Sequence, residues 1–463
     1  MLYQYESGGE ENIAQAVVSA RAAFNDGRWR EQPVQKRQAV LRKLADLIEV
    51  HREEFALYEC LDVGKPISKA LEHDIPDAVS TIRFNAEGAD KLLPPFGPDS
   101  NSFSYYVRKP VGVVGGIIGW NYPLLLAAVK AGPALAMGNS LVLKPSEFTS
   151  LSASRLAELA LEAGVPAGVF NVVHGTGAES GAALARHKDV DLLTFTGSSA
   201  TGRQMLVSSG ESNMKRLILE CGGKSPYLVF EDCRDDLDRV AADVVARAFE
   251  NQGALCVAGT RVLVQQSIKE RLVSKILQQT AKIVPGDPLN PETRFGALMS
   301  ETQLNKVLSY IDSGRQQGAR LLYGGNRTSI DAGGGNVNGT GGGYYIEPGI
   351  FDRVDPQYKI AREEIFGPVL CIFTFRDEAE AVRMANDTCF GLAAYAATKA
   401  IDRVKRLGES LNVGVLKVVG ASNGLGENVE LSVEPHRQSG LGFEGGLAGL
   451  AAYTCGTGVS VLV

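Results

Sequence analysis

The chain lacks a long run of either charge, an uninterrupted apolar span and any paired cysteine motif, and each absence removes a class of function. Lys and Arg number 47 against 53 Asp and Glu, a net charge of -6, with no long basic cluster. A phosphate backbone needs a concentrated basic surface, so nucleic acid is not expected as a partner. The most apolar stretch, residues 111–143, is interrupted by glycines, two prolines, Asn121, Lys130 and Asn139, so no membrane span and no membrane partner are expected. Near Met1 the early Glu6, Glu10 and Glu11 replace the basic and apolar regions of a secretory signal. The seven cysteines (Cys60, Cys221, Cys233, Cys256, Cys371, Cys389, Cys455) form no CxxC pair and no Cys/His ligand spacing. That argues against a disulfide framework or a metal site and for reduced thiols in the cytoplasm. At least five of the seven are expected to be small buried hydrophobes, the commonest fate of a free cysteine.

What is present is an ordinary globular composition, 44% hydrophobic over 463 residues, enough for two or three units with cores of their own. Apolar residues at helical spacing run from Ile13 to Phe24 and from Arg37 to Leu57. From Val107 onward short strands (Val111 to Ile118, Ser140 to Leu143, Val169 to Val173, Leu192 to Phe195, Tyr227 to Phe230) alternate with helical stretches, the signature of parallel α/β sheets. A second such series follows residue 237, and two sheets joined at Glu220 to Lys224 are the simplest arrangement. The glycine-rich stretch 331–343 lacks the Lys-Ser/Thr of a P-loop and is expected to be a surface loop. Residues 459–463 alternate like an edge strand in need of a partner.

Several segments could carry chemistry. Cys256 sits between glycines in Asn251-Gln252-Gly253-Ala254-Leu255-Cys256-Val257-Ala258-Gly259, where the backbone can approach a reacting carbonyl closely; a buried turn cysteine would look the same. Glu220 follows Leu217, Ile218 and Leu219 and precedes two glycines; desolvation there would raise its pKa toward the range of a general base, although a surface glutamate beside a turn fits equally. Asn121 stands where an apolar strand gives way to a helix, as an oxyanion donor or a helix cap. The segment Phe195-Thr196-Gly197-Ser198 ends a strand and opens a helix, so its N–H groups and the Ser198 hydroxyl suit a pyrophosphate, but the spacing is not GxGxxG. Lys144-Pro145-Ser146-Glu147 leaves a strand with a cation and a carboxylate that could each hold a ribose hydroxyl, or could simply be a charged turn.

Taken together and in this order, the segments Glu220-Cys221-Gly222-Gly223-Lys224-Ser225-Pro226, the Cys256 segment, FTGS at residues 195–198, KPSE at residues 144–147 and Glu363-Glu364-Ile365-Phe366-Gly367-Pro368-Val369 resemble the aldehyde dehydrogenase superfamily over residues 10–454. The resemblance implies an α/β fold. It comprises a Rossmann-like cofactor domain (1–91 and 111–222), an α/β catalytic domain (223–440), and a small β oligomerisation flap (92–110 and 441–463). It implies Cys256 as nucleophile, Glu220 as base for the hydrolytic water, and Asn121 as oxyanion donor, with Lys130 and Glu444 in a proton relay or in support. On the cofactor side it implies Ile118, Gly119, Trp120, Lys144, Ser146, Glu147, Gly177, Gly181, Phe195, Gly197, Ser198, Thr201, Cys221, Glu364 and Phe366. A carboxylate at Glu147 would repel a 2′-phosphate, so NAD is expected rather than NADP, with an aldehyde as the small-molecule substrate and a homodimer or homotetramer as the assembly. Two other readings share the fold: a relative with impaired catalysis or a structural role, and an enzyme that passes the acyl group to coenzyme A. The presence of Glu220 favours hydrolysis.

The wording His73-Asp74-Ile75-Pro76-Asp77 and Ser212-Asn213-Met214-Lys215-Arg216 is similar to the branch that oxidises γ-glutamylaminobutyraldehyde and related aminoaldehydes. If Asp74 begins a helix reaching Lys91, Asp74 and Asp77 lie on one face and, with Tyr122, would line a substrate entrance that favours an amino-bearing aldehyde. Asp74 as an N-cap with Pro76 inside the helix is the alternative. The chain departs from the family at Gly119, where a proline is usual, at Ala254, and above all across residues 417–438, which should form the substrate-side wall.

Overall fold

The computed structural model describes residues 5–92, 96–99, 102–330, 336–337, 342–419 and 431–462. Within them the alternation read from the sequence becomes two mostly parallel sheets. The first has six strands in the order Gly440–Leu441, Arg216–Glu220, Leu192–Thr196, Val113–Ile117, Ser140–Lys144, Phe170–Val172, all parallel except the short first one. The chain starts in the middle at Val113–Ile117, builds outward to Phe170–Val172, then returns to the other side at Leu192–Thr196. Strand order therefore reverses between Val113–Ile117 and Leu192–Thr196, and the crevice beyond their carboxyl ends is where an open α/β sheet binds its ligand.

The second sheet has seven strands in the order Arg320–Tyr323, Gly349–Asp352, Val369–Phe375, Arg261–Gln265, Pro226–Val229, Ala393–Ala397, Val415–Val419. The expected joint lies between Glu220, the last residue of Arg216–Glu220, and Pro226, the first of Pro226–Val229. Ser439 stitches it: the Ser439 carbonyl accepts from the Cys221 N–H at 2.7 Å. Its hydroxyl accepts from the Gly391 N–H and donates to the Gly222 carbonyl, at 2.9 and 2.8 Å.

Between the first sheet and its covering helices runs Pro123–Ala136, with Leu124, Ala127, Ala128, Ala131, Leu135 and even Lys130 fully buried. A helix apolar on nearly all faces belongs inside, and burying each leucine contributes roughly 1.5–3 kcal/mol. Thr454–Leu462 pairs antiparallel with Ser102–Pro110, which supplies the partner that the alternating end of the chain called for. Phe103, Tyr105, Val107 and Val461 on these two strands stay exposed.

Three expectations need correction. The helical stretch from Arg37 to Leu57 is two helices, Val34–Val50 and Arg52–Val63, separated at His51, whose ψ of 21° leaves the helical range. Asp74 is not a helix start: a widened turn, Ala70–Asp74, runs straight into Ile75–Gly88. Four cysteines are buried rather than five, because Cys389 is exposed and Cys256 and Cys455 are half-buried; Cys455 lies on the outlying Thr454–Leu462 strand. Of the stretch 331–343, only Asn336–Val337, which pairs with Arg327–Ile330, and residues 342–343 are described. The expected loop otherwise lies outside the described residues.

Candidate active site

A cavity of about 290 Å³ at the meeting of the two sheets brings together Asn121, Glu220 and Cys256, with Glu444 on the same wall. Asn121 leaves the end of Val113–Ile117, just before the Pro123–Ala136 helix. It caps nothing: the cap position is Tyr122, without a side-chain bond, and the Asn121 amide instead donates to the Ala254 carbonyl at 3.0 Å. The turn at the sheet switch point is thus bonded to the segment that carries the thiol.

The Cys256 segment is held in an unusual backbone. Asn251 and Gln252 adopt φ of 47° and 55°, the left-handed region that costs a non-glycine residue about 1–3 kcal/mol and concentrates at functional sites. Gly253 follows at φ 74°, where a Cβ would lie 2.4 Å from the Gly367 carbonyl. On the other side a Cβ on Gly223 would lie 2.1 Å from the Cys256 carbonyl oxygen. The two glycines let the cysteine loop nest between the sheet joint at Gly223 and the backbone of Gly367 and Pro368, an approach no side chain would allow.

Glu220 is buried, and its Oε1 has no hydrogen-bond partner. Burial, followed by repulsion from Glu444, pushes its carboxyl well above the usual carboxylate range, with Lys130 opposing. Lys130 is fully buried and ion-paired with Glu444, so a charged pair stands behind the unpartnered carboxyl. Burial, then Glu220 and Glu364, also push the Cys256 thiol up.

The residues expected to hold a dinucleotide lie at the ends of Val113–Ile117, Ser140–Lys144 and Leu192–Thr196 and in the turn before Val369–Phe375. Ser198 caps Ser199–Glu211 by accepting from the Thr201 N–H at 3.2 Å, which leaves other N–H groups of the first turn for an anion. Lys144 is buried and ion-paired to Glu147 at 3.2 Å; an ammonium has three donors, and this pair takes one. The Glu147 carbonyl accepts from the Tyr5 hydroxyl at 2.7 Å, and the Ser146 hydroxyl from the Phe148 N–H at 3.3 Å. Glu364 accepts from the Gly223 N–H at 2.9 Å, while Trp120 and Phe366 meet edge to face at 5.3 Å, Phe366 at φ 59°. The Ile118 N–H donates to the Lys144 carbonyl at 3.2 Å. A cation beside a carboxylate, a helix start and a second carboxylate beside two aromatic rings fit the ribose, pyrophosphate and nicotinamide riboside ends of NAD. Of four further predicted members, two have buried side chains and two are glycines beyond the outer strand. Phe195 is buried beneath Gly197, whose Cβ would lie 2.6 Å from its ring. Cys221 is buried, its sulfur 2.5 Å from where a Cβ on Gly202 would stand. Gly177 and Gly181 bound the turn after the outer strand Phe170–Val172.

The family model described as the aldehyde dehydrogenase family matches residues 1–457. The chain belongs to the aldehyde dehydrogenase family. It is 44% identical to the aminoacetaldehyde dehydrogenase of Pseudomonas aeruginosa over 90% of this chain and 82% of that one. To the NADP/NAD-dependent aldehyde dehydrogenase PuuC of Escherichia coli it is also 44% identical, over 96% and 87%. The solved γ-glutamyl-γ-aminobutyraldehyde dehydrogenase of Burkholderia cenocepacia superposes with a TM-score of 0.94 at 42% identity, covering 100% of this chain and 91% of that one. This aldehyde dehydrogenase is therefore an enzyme that oxidises an aldehyde with NAD.

Within this aldehyde dehydrogenase the substrate side is where sequence reasoning falls short. Asp77 lines the catalytic cavity, but Asp74 does not: it is buried in an ion pair with Lys65 and borders a neighbouring cavity of about 330 Å³. Two carboxylates three residues apart were read as sharing a face; Lys65 neutralises one of them. Lys417, Leu431 and Val433 line the catalytic cavity too, so the atypical segment does contribute wall, although residues 420–430 lie outside the described residues. Tyr453, Leu392 and Leu255 complete it, and only the neighbour of the thiol, Leu255, stood in a segment the sequence singled out.

Proposed function

We propose that Cys256 attacks the aldehyde, that Asn121 and the Cys256 N–H stabilise the resulting oxyanion, and that Glu220 activates water to release the carboxylate. The Cys256 thiol first releases its proton to solvent through the cavity; the resulting thiolate bonds to the carbonyl carbon, the carbonyl π pair moves to the oxygen, and the negative charge sits beside the Asn121 amide. Lys144, Ser198 and Glu364 would hold NAD, which would supply the hydride acceptor, and the acyl group would remain on Cys256 as a thioester. Glu220 then takes a proton from water, the water oxygen bonds to the thioester carbon, and the sulfur leaves as thiolate. The observation that carries this reading is the buried Glu220 Oε1 without a partner, in the same cavity as Cys256 and Asn121. An unpaired buried carboxyl is costly, and a catalytic base accounts for it.

For the substrate, an aldehyde bearing an amino or γ-glutamylamino group is the best fit, supported by Asp77 and Glu250 on the cavity wall and by the substrates for which the relatives are named. The Ser102–Pro110 and Thr454–Leu462 strands, with their exposed apolar residues, suit a homodimer or homotetramer, and the reduced thiols suit the cytoplasm. The test is stopped-flow absorbance of NADH formation with aminoaldehydes and uncharged aliphatic aldehydes of equal length. A burst with an aminoaldehyde and higher kcat/KM for it are expected. No burst with any aldehyde overturns the chemistry; equal kcat/KM across the panel overturns the substrate class.

A further inference from the structure

Three charged side chains that the reaction does not use are buried together beneath the turn bearing Asn121. Glu59, Lys65 and Asp74 are 0%, 2% and 4% exposed. The Lys65 ammonium pairs with Asp74 and, at 3.3 Å, with Glu59. Burial and Asp74 push the Glu59 carboxyl up, with Lys65 opposing. Such clusters are poor stabilisers, because desolvation offsets their attraction and an apolar set of similar volume often does as well. Their contacts here point to a different role.

Glu59 Oε1 accepts from the Leu124 N–H at 2.9 Å and from the Ser152 hydroxyl at 2.8 Å. Pro123 opens the Pro123–Ala136 helix and has no N–H, so Leu124 carries the first free donor of that helix end. A carboxylate 65 residues away in the chain satisfies it, where the helix dipole also favours negative charge. Lys65 meanwhile lies 4.1 Å from the centroid of the Tyr122 ring, at cation–π distance. Two of the three residues that follow Asn121, Tyr122 and Leu124, are thus each held by one member of the cluster.

We propose that Glu59, Lys65 and Asp74 form a buried bracket that positions Asn121 against the Cys256 loop. Glu59 fixes the helix start at Leu124, Lys65 fixes the Tyr122 ring, and Asp74 fixes Lys65. All three are positioning residues, and the inference rests on reading Asn121 as the oxyanion donor. The bracket acts on the hydride-producing half of the reaction and leaves NAD binding alone.

A double-mutant cycle on the full-length enzyme tests it. The NADH burst rate constant, the NAD Kd and the active fraction are measured for Lys65→Met, Asn121→Ala and the double variant. Lys65→Met is expected to slow the burst by about tenfold, as misplacement of a catalytic group does. The NAD Kd should stay within about twofold, and little further loss should appear in the Asn121→Ala background, as residues acting through one another show. The same loss in both backgrounds, or none in the native one, overturns the bracket. An unaltered burst in Asn121→Ala overturns the oxyanion reading itself and the bracket with it, a distinguishable pattern. If Lys65→Met fails to fold, Glu59→Leu, which keeps the volume but removes the acceptor for the Leu124 N–H, is put through the same cycle with the same criteria.

Discussion

Asn121 and Asn251 are tied together across the joint between the sheets: the Asn251 amide donates to the Asn121 carbonyl at 2.9 Å, while the Asn121 amide donates to Ala254 at 3.0 Å. The turn leaving the first sheet and the loop carrying the thiol therefore move as one piece. Asn251→Ala should slow the NADH burst by about tenfold with NAD affinity retained. An unchanged burst would show that the tie does not set the geometry.

The two halves of the reaction should separate by mutation. Cys256→Ala is expected to abolish hydride transfer, a loss of at least about 10³-fold, whereas Glu220→Gln should keep a stoichiometric burst and stall the steady state. Loss of the burst in both variants would contradict this division of roles.

Because burial and Glu444 raise the Glu220 pKa above the ordinary 4.5, thioester hydrolysis should fall as pH drops through a limb lying well above that value. Stability carries the opposite signature. A carboxyl whose pKa is higher folded than unfolded lets ionisation favour the unfolded chain as pH rises above the unfolded value. Glu220→Gln should therefore raise Tm, and the gain should grow from pH 4.5 upward to the folded pKa. Scanning fluorimetry at fixed scan rate checks this; a gain that shrinks with rising pH would contradict it.

Glu147 is the carboxylate that would meet a 2′-phosphate. Glu147→Gln should shift the ratio of kcat/KM for NADP to that for NAD upward by about tenfold, a change of about 1.4 kcal/mol, and KM values for the two cofactors read it directly. No shift would remove Glu147 from cofactor choice.

Gly223→Ala places a methyl group 2.1 Å from the Cys256 carbonyl oxygen, so the cysteine loop must move. Overpacking of this kind costs about 1–3 kcal/mol, and the burst should fall along with Tm. A variant of normal stability and normal burst would show that the loop yields without consequence.

Much of this was legible in the sequence because local pattern and tertiary role agree. Strand and helix alternation gave the two sheets, and the apolar run before Glu220 gave its burial. Two kinds of information were hidden. One is ion pairing across helices: nothing near Asp74 announces that Lys65 neutralises it. The other is long-range convergence: Leu392 and Tyr453 reach the cavity from segments the sequence did not single out, whereas Leu431 and Val433 fall in the 417–438 stretch expected to form the wall. Asn121 illustrates a third limit, since a cap and an oxyanion donor call for the same residue at the same strand-to-helix junction.

Lys130 is fully buried, and its counter-charge Glu444 lies 314 residues further along the chain. Synthesis at about 5–20 residues per second puts roughly 15–60 s between the two. Throughout that interval the Lys130 ammonium lacks its ion-pair partner, although the Glu220 carboxyl, made sooner, lies near it. A truncated product that stops before Glu444 should therefore carry Lys130 without its ion pair, and its Pro123–Ala136 amides should exchange hydrogen faster than those of the full chain.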